Sequence, residues 1–220
     1  MKCARHVTRR MALLGAAALS VSFVAPAWAQ SIEAPEVLIE RLGRELIVAV
    51  QNDPELRNGN MTKVNQLVDQ KLMPHVNFNR MTASAVGRFW RQATPEQRQR
   101  LQQEFKTLLV RTYSGALGQL TSQTLSMRPS RYRPEDKEVI VRSELRGRGD
   151  PIQLDYRLES TPTGWKVYDI NVLGIWLVET YRTQFAQEIT AKGIDGLIAT
   201  LAQRNASNAS QSGNAGTASR

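Results

Sequence analysis

Cysteine and histidine are almost absent from this sequence. Among 220 residues there are one cysteine, Cys3, and two histidines, of which only His75 lies beyond residue 29. One histidine without a cysteine cannot supply a Ser-His-Asp set, a cysteine nucleophile or a cluster of metal ligands. We therefore expect no catalytic residue, no metal and no cofactor, and a fold that is stabilised by its apolar core rather than by disulfides.

Long apolar runs are also missing. The run at residues 12–24 is shorter than the roughly 20 residues that a membrane-spanning helix needs. It follows a basic segment that contains Arg9 and Arg10, and it precedes Ala27-Trp28-Ala29, which has the pattern of a signal-peptidase site. We predict a signal peptide at residues 1–29, cleaved after Ala29, and an exported, soluble protein. The arginine pair leaves both the general and the twin-arginine export routes open.

Neither sign of charge dominates the predicted mature chain. Residues 1–29 carry four of the 29 basic side chains and none of the 20 acidic ones, so their removal leaves 25 against 20, a net charge of +5. This mild excess is scattered along the chain, which argues against a nucleic-acid partner. Residues 30–204 are predicted to form one domain. Residues 205–220 lack large apolar side chains and are predicted to be a disordered tail.

Apolar residues recur at helical spacing through the first half of the sequence. This spacing predicts a helix from Pro35, a second helix capped by Thr62, and a short third helix from Phe78. Thr94-Pro95-Glu96-Gln97 has the pattern of a capping box, and it opens the longest helix, whose apolar stripe continues to Leu120.

The period changes to two in the second half. Apolar and polar residues alternate over residues 139–145 and 152–158, a turn at 161–164 returns the chain along 165–172, and residues 124–132 form a further strand. The predicted fold is α+β, with N-terminal helices and a curled four-stranded antiparallel sheet around a hydrophobic pocket.

A curled sheet over a long helix has a concave side that either core residues or a ligand can fill. We predict that a ligand pocket is lined by inward-facing residues of the long helix, of the strands and of the junction after the last strand. These residues are Phe105, Leu109, Tyr113, Val141, Leu154, Tyr156, Trp165, Val167, Trp176 and Val178. Periodicity identifies an inward face, but it does not distinguish a filled core from a cavity.

Tyr168 and Asp169 leave an enzyme as a weaker alternative. A carboxylate in a pocket lined by a sheet could serve an isomerase or a hydratase. The sequence offers no second carboxylate at a matching spacing, so a binding protein remains the preferred interpretation.

Two groups of motifs carry a family resemblance. The first comprises Phe78, Arg80, Ala85, Gly87, Trp90, the segment 93–98, Phe105 and Arg111-Thr112-Tyr113. The second comprises Trp165, the segment 167–170, Gly174-Ile175, Leu177-Val178, Tyr181-Arg182, Phe185 and the segment 193–198. Over residues 34–204 the sequence resembles the MlaC family of periplasmic phospholipid-binding proteins of the Mla system, which is also called the toluene-tolerance family.

The resemblance implies a fold similar to nuclear-transport-factor-2-like domains, with acyl chains held between sheet and helices. It also implies a phospholipid carrier that shuttles between an inner-membrane ABC transporter complex with MCE domains and an outer-membrane lipoprotein-porin complex, and so maintains the lipid asymmetry of the outer membrane. We expect a monomer. A carrier for another hydrophobic ligand, such as a sterol-like lipid or an aromatic solvent, remains an alternative.

The sequence departs from the family pattern at two positions. Trp176 and Thr180 stand where Ser and Asn are common, and a bulky indole at position 176 predicts a narrowed cavity or a gated mouth. Nearby, Arg182 is a candidate for contact with a lipid head group at the rim. The preferred interpretation is that Arg182 caps the junction through a salt bridge.

Overall fold

Helices precede and follow a meander of strands. The computed structural model describes residues 32–133, 135–147 and 149–215; the predicted signal peptide at residues 1–29 lies outside them. The helices are α1 (Pro35–Asn52), α2 (Pro54–Arg57), α3 (Met61–Leu67), α4 (Phe78–Val86), α5 (Pro95–Ser114) and α6 (Leu177–Ala215). A π-helical segment (Val68–Leu72) and 3-10 turns (Met73–His75, Gly87–Arg91 and Leu117–Ser122) connect them. The strands are β1 (Thr124–Arg128), β2 (Glu138–Arg146), β3 (Ile152–Thr161), β4 (Gly164–Val172) and β5 (Ile175–Trp176).

The strands form one antiparallel sheet in the order β1-β2-β3-β4-β5, which confirms the α+β class. The predicted count of four strands is too low by the two-residue strand β5. This strand exists because Leu173 and Gly174 both adopt positive φ and make a tight turn after β4. The Gly174 amide donates to Asn171 Oδ1 at 2.8 Å, which stabilises the turn.

Local capping accounts for where the helices begin. The predicted capping box of α5 is present: the Thr94 hydroxyl accepts from the Gln97 amide (3.2 Å), and Gln97 Oε1 accepts from the Thr94 amide (3.0 Å). The prediction that Thr62 caps the second helix is wrong. Asn60 Oδ1 accepts from the backbone amides of Thr62 and Lys63, so α3 begins at Met61.

A tightly packed core lies between α1 and the middle of the sheet. Helix α1 buries one face, and β2, β3 and β4 bury the side chains opposite it. The buried members are Leu38, Ile39, Leu42, Val139, Val141, Leu158 and Val167. Val141 and Leu158 have no exposed surface, so this part of the sheet is filled by protein.

Helix α6 packs on α4 and α5 and extends past the predicted domain boundary. Its two stretches meet at Gly193, where φ is 73°. The helix passes residue 205, where the sequence predicts the start of a disordered tail, and continues to Ala215. Asn205 is buried, and its amide donates to the backbone carbonyl (3.0 Å) and the carboxylate (2.8 Å) of Glu104. A hydrogen-bonded amide thus extends the packed helix without a large apolar side chain.

Membrane crossing by a helix finds no support in the part of the chain that the structure describes. No helix there is both long enough and apolar enough to span a bilayer.

Candidate functional site

A cavity of about 260 Å³ lies between the helices and β4. Its wall is apolar except for Lys106 and Ser114. Helical residues form most of it, namely Val64, Val68, Leu72, Met73, Phe78, Met81, Leu109, Val110, Tyr113, Leu117 and Leu177. Val76, Ile170 and Val172 complete it on the side of the sheet. Burial in this wall raises the pKa of Tyr113, so its hydroxyl stays neutral at physiological pH.

One wall depends on a break in the helix after α3. Val64, Val68 and Leu72 lie four residues apart and all face the cavity. A spacing of four residues is slightly more than one α turn, which holds 3.6 residues. It is slightly less than one turn of the following π-helical segment, whose i→i+5 bonds make a wider turn. The two offsets nearly cancel, so the three side chains stay on one face. The chain then reaches the sheet, where the backbone N–H of Asn77 donates to the backbone carbonyl of Val167 at 2.8 Å.

The opposite wall depends on a β-bulge in β4. Leu158 pairs with Val167, but the preceding residue on β3, Arg157, pairs with Asp169, so Tyr168 is an extra residue on β4. Side chains alternate along a strand, and the extra residue shifts that alternation by one. Val167 therefore shares the helix-facing side of the sheet with Ile170 and Val172.

The bulge also directs Asp169 to the face of the sheet away from the cavity. The Asp169 carboxylate accepts from the amides of Val178 (3.1 Å) and Ile170 (2.9 Å) and from Arg157 Nη1 (3.0 Å). Burial raises the pKa of Asp169. Its bond to Val178 satisfies an amide in the first turn of α6, so the carboxylate works as a cap from a neighbouring strand.

Tyr168 is likewise engaged in a structural contact. Its hydroxyl donates to Glu138 Oε2 at 2.8 Å, and the guanidinium of Arg80 lies 3.6 Å from its ring centroid. Burial and the Glu138 carboxylate raise the pKa of Tyr168 to about 12. Neither Tyr168 nor Asp169 lines the cavity, so the geometry gives no support to the isomerase or hydratase alternative.

Trp176 lies away from the cavity as well. It pairs with Asn171 across the β4-β5 turn, and the guanidinium of Arg157 lies 3.8 Å from its ring centroid. Trp176 is not among the residues of the cavity wall, because its partner Asn171 lies on the face of the sheet away from the helices.

The other predicted lining residues divide into four groups. Leu109 and Tyr113 lie in the cavity wall. Phe105 and Val178 are buried in the helical core, where Phe105 packs edge-on against Tyr181 at 4.9 Å between ring centroids. The core under α1 contains a further four of them, namely Val141, Tyr156, Trp165 and Val167. Leu154 is half-buried on the helix-facing side, opposite Val172.

Arg182 contributes to packing between helices. Its Nε donates to the backbone carbonyl of Ser84 at 2.8 Å, and its alkyl chain passes near Gly87. It satisfies a carbonyl in the last turn of α4. This hydrogen bond is neither a contact with a lipid head group nor a salt bridge, which are the two roles that the sequence suggested. Arg182 is not part of the cavity wall.

Ile170 and Val172 are the lining residues that strict alternation misassigns. Apolar residues stand at 165 and 167 and then at 170 and 172, with polar residues at 169 and 171. This change of phase within one strand is the sequence signature of a bulge, and it marks which end of the strand faces the cavity.

One lining residue makes a charged contact. Lys106 Nζ in α5 donates to Asp69 Oδ1 in the π-helical segment at 2.8 Å. Metal binding is not indicated: within residues 32–133, 135–147 and 149–215, no three His, Cys, Asp or Glu side chains come together.

The fold and the cavity define a class of protein: an α+β domain that encloses an apolar binding site between its helices and one end of its sheet. The sequence model of the MlaC protein family matches residues 40–203. The chain belongs to the MlaC family.

Relatives and a solved structure agree with this assignment. The toluene tolerance protein ttg2D of Pseudomonas putida is 27% identical over 165 residues, which cover 74% of this chain and 76% of that protein. The intermembrane phospholipid transport system binding protein MlaC of Haemophilus influenzae is 22% identical over 173 residues, which cover 77% and 81%. The structure of a phospholipid-binding protein from Ralstonia solanacearum in complex with a phospholipid matches with a TM-score of 0.78 and 47% identity, covering 80% of this chain and 99% of that one.

Proposed function

We propose that this protein is a periplasmic phospholipid carrier, which holds acyl chains in the cavity between the helices and β4. The observation that carries the proposal is the apolar wall of a cavity that the fold leaves unfilled. The similar Ralstonia solanacearum protein binds a phospholipid. Apolar side chains cannot activate a substrate, so the wall suits binding and transport rather than catalysis.

Magnitudes explain why a carrier is needed. A diacyl lipid has about 30 methylenes, and exposing them to water costs about 0.8 kcal/mol each, or roughly 24 kcal/mol in total. A cavity that covers the chains offsets most of this cost, so that protein and bilayer become hosts of similar free energy. Partners can then set the direction of transfer.

The volume of the cavity adds a requirement. About 260 Å³ lies just below the roughly 300–1,000 Å³ typical of pockets for drug-sized ligands. We infer that the walls separate when a diacyl lipid enters. The π-helical segment and the adjoining 3-10 turn suit such a movement, because their backbone hydrogen bonding is less regular than that of a continuous α-helix.

The finer part of the proposal concerns the route. The protein receives or delivers lipid at an inner-membrane ABC transporter complex with MCE domains and at an outer-membrane lipoprotein-porin complex, and so maintains the asymmetry of the outer membrane. The name of the Haemophilus influenzae relative supports intermembrane transport of phospholipid.

The first experiment is native mass spectrometry of the exported protein, purified without detergent, together with lipid extraction. We expect a bound mass that matches phospholipid in whole-number stoichiometry. A sterol-like or aromatic ligand would instead favour a carrier of another class, and an empty protein that also refuses added phospholipid would contradict the proposal.

A cavity-filling variant ties the ligand to the site. In Leu109→Trp the indole occupies the cavity, and we expect the bound lipid to fall by about tenfold while the fold is retained, because the added volume enters a void rather than a packed core. Val37→Trp is the matched control, since Val37 is exposed on α1. Equal lipid in both variants would place the ligand elsewhere.

A further inference from the structure

One charged side chain interrupts the apolar wall of the cavity. Among the described residues that line it, Lys106 is the only Lys, Arg, Asp or Glu. Leu109 and Val110 lie three and four residues further along α5, so the alkyl chain of Lys106 continues the apolar stripe of that helix. The ammonium group is partly exposed, and its side chain retains 29% of its accessible surface.

The partner of this ammonium group belongs to the segment that forms another wall of the cavity. Asp69 belongs to the π-helical segment, between the lining residue Val68 and the rest of that turn, and its side chain is half-exposed. The 2.8 Å contact therefore links α5 to the π-helical segment at the edge of the apolar surface. An exposed ion pair of this kind adds little to stability, so its exchange for another ion pair costs little.

Phospholipids present the matching chemistry. Once acyl chains occupy an apolar cavity, the phosphate diester lies at the boundary between cavity and solvent. An ammonium group recognises phosphate as a point charge and can exchange one anionic oxygen for another. The exchange forms one ion pair and breaks one, so it needs no proton transfer and leaves Asp69 free in water.

We propose that Lys106 binds the phosphate of the lipid at the edge of the cavity, and that Asp69 holds its ammonium group in position until the phosphate replaces it. This inference rests on the proposed function. It also links binding to the π-helical segment, because the phosphate replaces a contact between that segment and α5.

Two substitutions separate this role from a purely structural ion pair. Lys106→Met keeps the apolar stem and removes the charge, whereas Asp69→Asn removes the competing carboxylate and leaves the charge. Binding is measured on the delipidated protein with phosphatidylglycerol and with diacylglycerol of the same acyl chains. Lys63→Met is the matched control, because Lys63 contacts Asp53 outside the cavity.

We expect Lys106→Met to bind phosphatidylglycerol on the order of tenfold more weakly. Diacylglycerol affinity should stay unchanged, Lys106→Arg should restore most of the loss, and Asp69→Asn should bind phosphatidylglycerol as tightly as the parent or more tightly. Equal weakening by Lys106→Met and Asp69→Asn would overturn the inference in favour of a structural pair, as would the absence of any effect from Lys106→Met.

Two further outcomes are distinguishable. Competition by inorganic phosphate at concentrations comparable with the lipid would assign the site to free anions and overturn the lipid role of Lys106. Failure of the parent protein to bind either lipid would contradict the carrier function itself, whereas binding of both lipids with no dependence on Lys106 would contradict only this inference.

Discussion

The two ends of the helix-facing side of the sheet differ in what covers them. At one end, α1 packs on β2, β3 and the first half of β4, and residues such as Val141 and Leu158 have no exposed surface. At the other end, Ile170 and Val172 face a cavity. The same kind of apolar strand residue therefore fills the core in one place and lines a cavity in the other, according to where α1 stops covering the sheet.

The contrast also extends to how each end is held together. The end under α1 relies on close apolar packing. Around the open end, polar contacts add to the apolar packing of the helices: Asp169 caps α6 from β4, and Lys106 in α5 contacts Asp69 of the π-helical segment. Directional contacts of this kind can position a wall without filling the space behind it, which leaves room for a ligand.

The sharpest test of this contrast is one substitution made at both ends. Val141→Ala should lower the free energy of unfolding by about 2–3 kcal/mol, since it opens a new void in a packed core, whereas Val172→Ala should cost under about 1 kcal/mol because its side chain already borders a void. Urea denaturation of the ligand-free proteins measures both values. Equal losses would mean that the two ends are packed alike.

A smaller effect is expected on the outer face. Trp176→Ala removes the stacking of Arg157 on the indole, and we expect a loss of about 1 kcal/mol in unfolding free energy. Lipid binding should be unchanged, because Trp176 does not line the cavity. A change in lipid stoichiometry would support the prediction that Trp176 gates the pocket.

The smallest effect concerns acid. Hydrogen bonds from Arg80 (2.6 Å) and Tyr168 lower the pKa of Glu138 below its ordinary value of 4.5. A lowered folded-state pKa means that the stabilisation is present above the unfolded-state pKa and is lost as pH falls through the folded-state value. Because Glu138 is largely exposed, we expect only about 0.5 kcal/mol.

Glu138→Gln checks this expectation. The variant should be less stable than the parent at pH 7, and the difference should vanish once the pH lies below both pKa values. Combining it with Arg80→Met in a double-mutant cycle isolates the pair. A difference that persists unchanged into acid would show that the carboxylate charge is not the cause.

Features set by neighbouring residues were predictable from the sequence. The capping box at Thr94 and Gln97 and the alternation along β2 involve contacts within a few residues, so local chemistry specifies them. The division of inward residues between core and cavity was not predictable, because it depends on where α1 comes to lie on the sheet. The contact of Lys106 with Asp69 spans 37 positions and has no local signal.

The bulge explains the largest error in the predicted site. Uniform alternation along residues 165–172 would place Asp169 and Asn171 on the side of Trp165 and Val167, and it would turn Ile170 and Val172 outward. One additional residue, Tyr168, reverses this arrangement for everything that follows, including Trp176. The sequence does show this shift, because apolar residues stand at odd positions up to 167 and at even positions from 170. It becomes visible only when the alternation is read separately before and after Tyr168.

Because of the π-helical segment, the cavity depends on the number of residues between α3 and the sheet as well as on their types. Deleting one residue from Val68–Leu72 would allow a continuous α-helix, and every later side chain in that helix would then rotate by about 100° around its axis. Leu72 and Met73 would leave the lining, although no residue type in it had been replaced. This stretch should therefore tolerate apolar exchanges far better than insertions or deletions of a single residue.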